Sequence, residues 1–169
     1  MEQMVSVKKE KTIDFAVEEV WQFIEPADHI AKWFPGAEYS ERISGQGMGR
    51  KQLMFVRSGK KETEFVQEII DYHTGNLIKW KLLREVLNGK ELPTKLREAY
   101  FTIQLSQAGQ KTRINLLSEN LPRNGWKAML FKLRERQKIE STLEKALINI
   151  EERIRHPQSP KETLMDALL

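Results

Sequence analysis

The side chains best suited to acid-base chemistry are the three histidines, and their spacing does not bring them together. His29 follows Asp28 in a short helical segment, His73 lies in a predicted turn, and His156 ends the last predicted helix. This spacing matches neither a metal cluster nor a catalytic triad. Asp28 and His29 are the one candidate acid-base pair, and helix capping by Asp28 is the alternative explanation. We therefore name no catalytic residue and expect no metal site.

Other common kinds of reactive or charged site are also missing from the sequence. The chain has no cysteine, which excludes disulfides, thiolate nucleophiles and zinc-thiolate centres. Gly45, Gly47 and Gly49 precede a predicted strand, so no helix N-terminus is available there to hold a phosphate, and we interpret them as a turn. The net charge of +4 is small for 169 residues, whereas nucleic-acid binders usually concentrate basic residues in a patch. We expect no cofactor and no nucleic-acid partner.

Two predicted strands carry bulky apolar side chains on a single face. Trp80 and Leu82 share one parity of their strand, Phe101 lies on the apolar parity of another, and lysines occupy the opposite face around Trp80. Such residues can fill a closed core or line a cavity, and composition alone favours the core. Four polar strand residues could orient a ligand in such a cavity, although solvent exposure is their commoner fate. They are Glu64, Tyr72, Arg84 and Tyr100.

The positions of turn residues define the strands that would carry these side chains. A first strand runs from about Met4 to Ile13, and glycine-containing turns then recur at short intervals up to about residue 111. Strands joined by such short turns must be antiparallel, because a parallel pair needs a crossover of about a dozen residues or more. The six later strands run from Glu38 to Ser44, Arg50 to Arg57, Lys61 to Tyr72, Leu77 to Leu87, Leu96 to Ser106 and Thr112 to Asn120.

Three segments have helical periodicity. Apolar residues recur at helical spacing from Val17 to Ile24, where Pro26 stops the helix. A second short helix can run from Ala27 to Trp33 and must end before the following Pro-Gly pair. From Trp126 to about Arg155 the chain lacks glycine and proline, which predicts a helix of about eight turns.

These elements predict an α+β fold. A sheet with one apolar face must cover that face, and only the final helix is long enough to do so. We therefore predict a seven-stranded curved antiparallel sheet around a long C-terminal helix, with two short helices between strands 1 and 2. The length fits one core. We assign residues 1–155 to a single domain and residues 156–169 to a C-terminal tail.

The element order and several local motifs together resemble a known superfamily. The motifs are Ile13 to Ile24, Ile30 to Gly36, the glycine turn ending at Arg50, and Val66 to Tyr72. This combination is similar to the START-like (SRPBCC) superfamily, specifically its polyketide cyclase/dehydrase-like branch. The resemblance covers about Met4 to Arg155 and implies a helix-grip fold with a cavity between sheet and long helix. The family uses that cavity for lipids, polyketides, hormones and other apolar molecules, and it brings no universal catalytic residue.

A cavity of that kind has an energetic consequence. If it stayed dry and empty, a volume of about 300 Å³ would cost about 7 kcal/mol at about 24 cal/mol per Å³. An ordinary domain has a total stability of about 5 to 15 kcal/mol. The interior must therefore be packed shut, hydrated by polar groups or occupied by a ligand, and the sequence leaves these open. The candidate ligand contacts are Trp33, Phe55, Trp80, Leu82, Tyr100, Phe101, Trp126, Met129 and Leu133.

The resulting functional hypothesis is a binding or carrier protein for a small hydrophobic ligand such as a lipid, a quinone or a polyketide-like molecule. One alternative is a polyketide cyclase or aromatase acting in the same cavity, which rests on family analogy alone. Another is a protein-interaction module that uses the basic first half of the long helix. The basic residues of that half are Lys127, Lys132, Arg134, Arg136 and Lys138.

The remaining expectations concern location and assembly. The N-terminus lacks the apolar segment of a secretory signal, and no stretch approaches the roughly 18 apolar residues of a membrane span, so we expect a cytoplasmic protein without integral membrane contact. We expect a monomer or a homodimer. Apolar residues of the tail, Leu164, Met165, Leu168 and Leu169, could contact a second subunit.

Overall fold

The computed structural model describes residues 4–91, 96–122 and 125–157, and of residues 96, 97, 122 and 125–135 it describes the backbone alone. Strands and helices follow one another as the sequence predicts. In chain order they are β1 (Val5–Ile13), α1 (Val17–Ile24), a 3₁₀ turn (Ala27–His29), α2 (Ile30–Trp33), β2 (Ala37–Ser44), β3 (Lys51–Ser58), β4 (Lys61–His73), β5 (Leu77–Leu87), β6 (Lys90–Glu91), β7 (Leu96–Ala108), β8 (Lys111–Pro122) and α3 (Gly125–Arg155).

The described strands form one antiparallel sheet. Seven of them follow the order β1-β8-β7-β5-β4-β3-β2, and β6 pairs with β5 beside this path. The predicted curved sheet of seven strands is thus confirmed, with β6 as an additional strand. Its two residues, Lys90 and Glu91, are too few to produce an alternating pattern in the sequence.

The two short helices between β1 and β2 differ slightly from the prediction. In α1, Val20, Trp21 and Ile24 are buried on one face, while two glutamates occupy the first turn near the positive end of the helix dipole. The predicted second helix, Ala27 to Trp33, is divided into the 3₁₀ turn and a single turn of α-helix. Both pieces are short because Pro26 precedes the first and Pro35 follows the second.

The long helix α3 packs against β1 and β8 of the sheet and against α1 and α2. Leu143, Ala146, Leu147 and Ile150 recur at helical spacing and join the main hydrophobic core. Next to them, the buried Asn149 donates a hydrogen bond through its Nδ2 to the backbone oxygen of Trp33 at 3.0 Å. The second half of α3 therefore fixes the end of α2 above the sheet, and the predicted helix-grip fold is confirmed.

One irregularity of the sheet determines which side chains face its concave side. The register between β4 and β5 shifts after the Val66–Arg84 pair, because Gln67 pairs with Leu82. This leaves Leu83 as an extra residue on β5, and strict alternation breaks there. Leu82 and Glu85 both border the interior as a result.

Candidate ligand-binding cavity

A cavity of about 380 Å³ lies between the concave face of the sheet and the helices. Its described walls come from α2, from β3, β4, β5, β7 and β8, and from Thr142 of α3. The volume exceeds the lower limit of about 300 Å³ that is usual for small-molecule sites. Among the residues that the structure describes, the interior is therefore not packed shut.

Aromatic rings form the centre of the cavity wall. Phe101 stacks against Trp33 with ring centroids 6.3 Å apart, and the rings of Trp80 and Phe34 lie 5.8 and 6.2 Å from it. Both indole N–H groups, of Trp33 and Trp80, are buried and have no hydrogen-bond partner within the described part of the chain. Aromatic rings supply broad apolar contact area at well-defined positions, which suits an apolar ligand.

Five of the predicted contact residues border this cavity: Trp33, Trp80, Leu82, Tyr100 and Phe101. Tyr100 does so with its hydroxyl engaged elsewhere, because that group donates to Glu98 at 2.9 Å.

The structure does not bring Phe55 to the cavity. On β3 the lining residues are Gln52, Met54 and Val56, so Phe55 has the opposite parity. Its ring instead lies 5.9 Å from the guanidinium carbon of Arg57 on the outer face.

The side chains of Trp126, Met129 and Leu133, in the first half of α3, lie outside the described residues, as do the tail leucines and Met165.

The polar strand residues proposed from the sequence lie away from the cavity, apart from Tyr100. Glu64 is exposed and alternates with Phe65, which lines the cavity. Arg84 pairs with Glu91 at 3.3 Å, because the bulge at Leu83 turns it outward.

The acid-base candidates also lie outside the lining. His29 donates through Nδ1 to the backbone oxygen of Phe23 at 2.8 Å, and Asp28 lies inside the 3₁₀ turn, whose N-cap position is Pro26. Among the described residues, no group of three His, Cys, Asp or Glu side chains could hold a metal ion.

A buried polar network that sequence reasoning missed enters the cavity from the end of α1. Glu25 accepts a hydrogen bond from Arg50 Nη1 at 3.0 Å, and Arg50 Nη2 donates to Gln52 Oε1 at 3.1 Å. Gln52 Nε2 then donates to Gln67 Oε1 at 3.3 Å. Gln52 is fully buried, Arg50 is 4% exposed, and both glutamines line the cavity. Burial lowers the pKa of Arg50, and the neighbouring carboxylate of Glu25 opposes this shift.

The glycine turn before β3 positions Arg50. Gly45 and Gly47 have φ values of 76° and 62°, which glycine adopts without strain. Arg50 donates its backbone N–H to the oxygen of Gly47 at 3.1 Å and accepts from the N–H of Ile69 at 2.9 Å. The ring of Tyr72 packs over Gly47, and its hydroxyl donates to Glu25 at 3.4 Å. The interpretation of the glycines as a turn is confirmed, and this turn holds the Arg50 guanidinium between Glu25 and Gln52.

A second polar pair lies on β8. Asn120 Nδ2 donates to Ser118 Oγ at 3.2 Å, and both residues line the cavity. Because β5 and β7 separate β4 from β8, Gln67 and Ser118 lie on opposite sides of the aromatic wall. Three strand spacings correspond to about 14 Å measured along the sheet. The cavity thus has an apolar middle with polar groups toward two sides.

An apolar cavity in a curved sheet, bordered by a few fixed polar groups, is the arrangement of a small-molecule-binding fold. The family model described as "Polyketide cyclase / dehydrase and lipid transport" matches residues 4–154. The chain therefore belongs to this family, as the resemblance of its motifs predicts. A comparison with curated proteins found no match.

Solved structures share the fold over nearly the whole chain. The protein TTHA0849 from Thermus thermophilus has a TM-score of 0.72 at 15% identity, covering 92% of this chain and 100% of that one. A protein from Arthrobacter aurescens has a TM-score of 0.70 at 14% identity, with coverages of 91% and 88%. The Zhui aromatase/cyclase from Streptomyces sp. R1128 has a TM-score of 0.65 at 14% identity, with coverages of 93% and 99%. At these identities the likeness shows the fold alone. None of the described helices is long and apolar enough to span a membrane.

Proposed function

We propose that this protein binds and carries a small hydrophobic ligand, such as a lipid, a quinone or a polyketide-like molecule, in the cavity between sheet and α3. The observation that carries the proposal is the cavity of about 380 Å³ beside the ring of Phe101, which stacks on Trp33 and contacts Trp80. The family's lipid-transport description supports the same ligand class.

The energetics of the cavity favour an occupied state. A sealed, dry and empty volume of this size would cost at most about 9 kcal/mol at about 24 cal/mol per Å³, and the cost is smaller here because the cavity is partly open to solvent. Even a fraction of that cost matters to a domain whose whole stability is about 5 to 15 kcal/mol. Water can hydrate the polar sides of the cavity near Gln67 and Asn120, but it has few partners along the aromatic wall. An apolar ligand that displaces this water buries the aromatic wall and is stabilised by that burial.

The chemistry of the lining favours binding over catalysis. Its described polar side chains are mainly amides and hydroxyls, which hydrogen-bond to a ligand but do not titrate near neutral pH. Glu85 is the carboxylate among them, and the described lining contains no histidine. Such groups orient a ligand without supplying an acid-base pair. The cyclase alternative therefore has no residue pair in its favour within the described lining.

Location and assembly complete the proposal. We assign the carrier to the cytoplasm, acting as a monomer or a homodimer. The interaction-module alternative depends on the basic half of α3, and of its basic residues Arg136 has a described ion pair, with Glu140 at 3.5 Å. An ion pair between residues four apart, such as Arg136 and Glu140, is typical of an ordinary solvent-exposed helix face and does not itself indicate a partner.

Two variants of one strand allow a matched test. Ala99 on β7 lines the cavity, whereas Ser106 on the same strand is exposed. Ala99→Phe places a ring where the ligand would lie, and Ser106→Phe adds a ring outside the cavity. The melting temperature of each protein is measured with palmitate, decylubiquinone and anthraquinone. Native mass spectrometry and solvent extraction of the purified protein test for a ligand already bound.

We expect at least one probe to raise the melting temperature of the unmodified protein and of Ser106→Phe. The shift should be about 5 to 10 °C at one hundred times the Kd. Ala99→Phe should lose most of this shift. The proposal fails if no probe stabilises the unmodified protein and extraction releases no apolar molecule. Conversion of a poly-β-ketone analogue by the purified protein would replace it with the enzyme alternative.

A further inference from the structure

The network that begins at Glu25 has a fixed hydrogen-bond direction. Arginine carries N–H donors and no acceptor, so the Gln52 atom that faces Arg50 at 3.1 Å must be its amide oxygen. The other end of the Gln52 amide is then its NH₂ group, which can only donate. The Gln67 atom that faces this group at 3.3 Å must therefore also be an amide oxygen. The buried charge thus sets the orientation of two successive amides.

This direction presents the amide nitrogen of Gln67 to the cavity. With its oxygen taken by Gln52, Gln67 presents its Nε2 group, which has no hydrogen-bond partner among the described residues. The indole nitrogens of Trp33 and Trp80 also lack a partner, but they are sealed from solvent, whereas the Gln67 nitrogen is not among the sealed atoms. Gln67 lines the cavity. The β4 side of the cavity is therefore a hydrogen-bond donor held in place.

We propose that the cavity selects ligands with a carbonyl oxygen on an apolar body, and that Gln67 is the residue that recognises this oxygen. The inference rests on the proposed binding function and deepens it by naming the ligand class. A ketone, a quinone and an ester share the required group. The apolar body lies against Trp80 and Phe101, which occupy β5 and β7 beside Gln67 on β4.

The probes are three compounds with one carbon skeleton. They are 2-acetylnaphthalene, 1-(2-naphthyl)ethanol and 2-ethylnaphthalene, which carry a carbonyl acceptor, a hydroxyl that both donates and accepts, and no polar group. Their Kd values are measured by quenching of tryptophan fluorescence. Comparing each variant with each probe forms a double-mutant cycle, so differences in hydrophobicity among the probes cancel.

Gln67→Leu removes the donor with little change in volume. We expect the Kd of the ketone, relative to that of the hydrocarbon, to rise about three- to tenfold, the usual value of one hydrogen bond. The Kd of the hydrocarbon should change less than about threefold. Gln104→Leu is the matched control, because Gln104 is exposed on β7 and does not border the cavity. It should leave the ratio unchanged.

Gln52→Glu reverses the direction of the network. A carboxylate at position 52 accepts from Arg50 with one oxygen and can only accept with the other, so Gln67 must turn to donate to it. The oxygen of Gln67 then faces the cavity. We expect the ketone to lose its advantage over the hydrocarbon, while the alcohol, which can donate to that oxygen, keeps its own.

The outcomes separate this inference from the binding function. If the unmodified protein binds the hydrocarbon and Gln67→Leu leaves the ketone-to-hydrocarbon ratio unchanged, the carbonyl assignment is overturned and the binding function stands. Loss of the ketone's advantage in Gln67→Leu but not in Gln52→Glu would also overturn it, because the direction of the network would then not matter. If none of the three probes binds the unmodified protein, the carbonyl assignment fails, and the binding function is decided separately by the melting-temperature and extraction experiments.

Discussion

The substitution Glu25→Gln tests whether the buried arginine depends on its carboxylate partner. Arg50 is 4% exposed and Glu25 is 27% exposed, with 3.0 Å between the paired atoms. Two charges about 4 Å apart attract by about 4 kcal/mol at an effective dielectric constant of about 20. Partial exposure of Glu25 reduces this, and a glutamine oxygen still accepts from Arg50, so we expect a loss of about 2 kcal/mol in the free energy of unfolding. Urea denaturation followed by far-UV circular dichroism measures it.

The chain provides a matched control for this substitution. Lys9 and Glu144 also form an ion pair at 3.0 Å, but their side chains are 32% and 57% exposed. Glu144→Gln removes the same charge in solvent, where water and salt screen an ion pair, so the loss should be much smaller than at Glu25. Raising the salt concentration should reduce the effect at Glu144 more than the effect at Glu25. Equal losses in the two variants would refute the reasoning, because burial would then not decide the energy of the pair.

Two further results are expected. Asn149→Ala should lower the free energy of unfolding by about 1 to 3 kcal/mol, since it leaves the backbone oxygen of Trp33 without this donor, and a change below about 0.5 kcal/mol in urea denaturation would contradict that role. The pKa of each tyrosine is raised: by a hydrogen bond to Glu41 for Tyr39, by burial for Tyr72 and by a hydrogen bond to Glu98 for Tyr100. The absorbance at 295 nm of the folded protein should therefore titrate above the ordinary tyrosine pKa of about 10. Because the folded state holds these protons more tightly, their contribution to stability is full below about pH 10 and is lost as the pH rises through the folded pKa; a tyrosine that titrates at its ordinary value would contradict this.

The order of elements could be predicted because turn residues separate the strands so clearly. The turn at Ser58 and Gly59 fixes the β3–β4 hairpin, in which Ser58 pairs with Lys61. The bulge at Leu83 could not be predicted, since nothing in the run from Leu82 to Arg84 marks an extra residue. As a consequence, Arg84 lies on the outer face, although strict alternation from Trp80 would place it inside.

The inner face of β3 was harder to assign than the strand itself. Apolar side chains occupy both parities, with Met54 and Val56 on one and Leu53 and Phe55 on the other. The aromatic ring made Phe55 the natural candidate, but the structure turns the opposite parity inward. A strand near the edge of a sheet can carry apolar residues on both faces, so alternation alone does not decide between them.

The glutamine network did leave a signal in the sequence. Once the turn at Ser58 and Gly59 sets the register, Gln52 falls opposite Gln67. Two amides at paired positions can hydrogen-bond across the strands, and Arg50 shares the parity of Gln52. The sequence does not show that Arg50 and Gln52 lie on the buried face of β3. Burial of Arg50 depends on its ion-pair partner Glu25 at the end of α1, 25 residues away.

The guanidinium of Arg50 lies behind the glutamines that line the cavity, and this position determines how the cavity can discriminate between ligands. Arg50 is not a lining residue, so a ligand meets its effect only through the amides of Gln52 and Gln67. A cation in direct contact would favour anionic ligands and would be screened by salt. Amides held by a buried cation favour a neutral acceptor instead, and their hydrogen-bond direction does not depend on ionic strength. Selectivity that is insensitive to salt suits the proposed carrier of neutral apolar molecules, because such ligands offer an acceptor but no charge for a cation to bind.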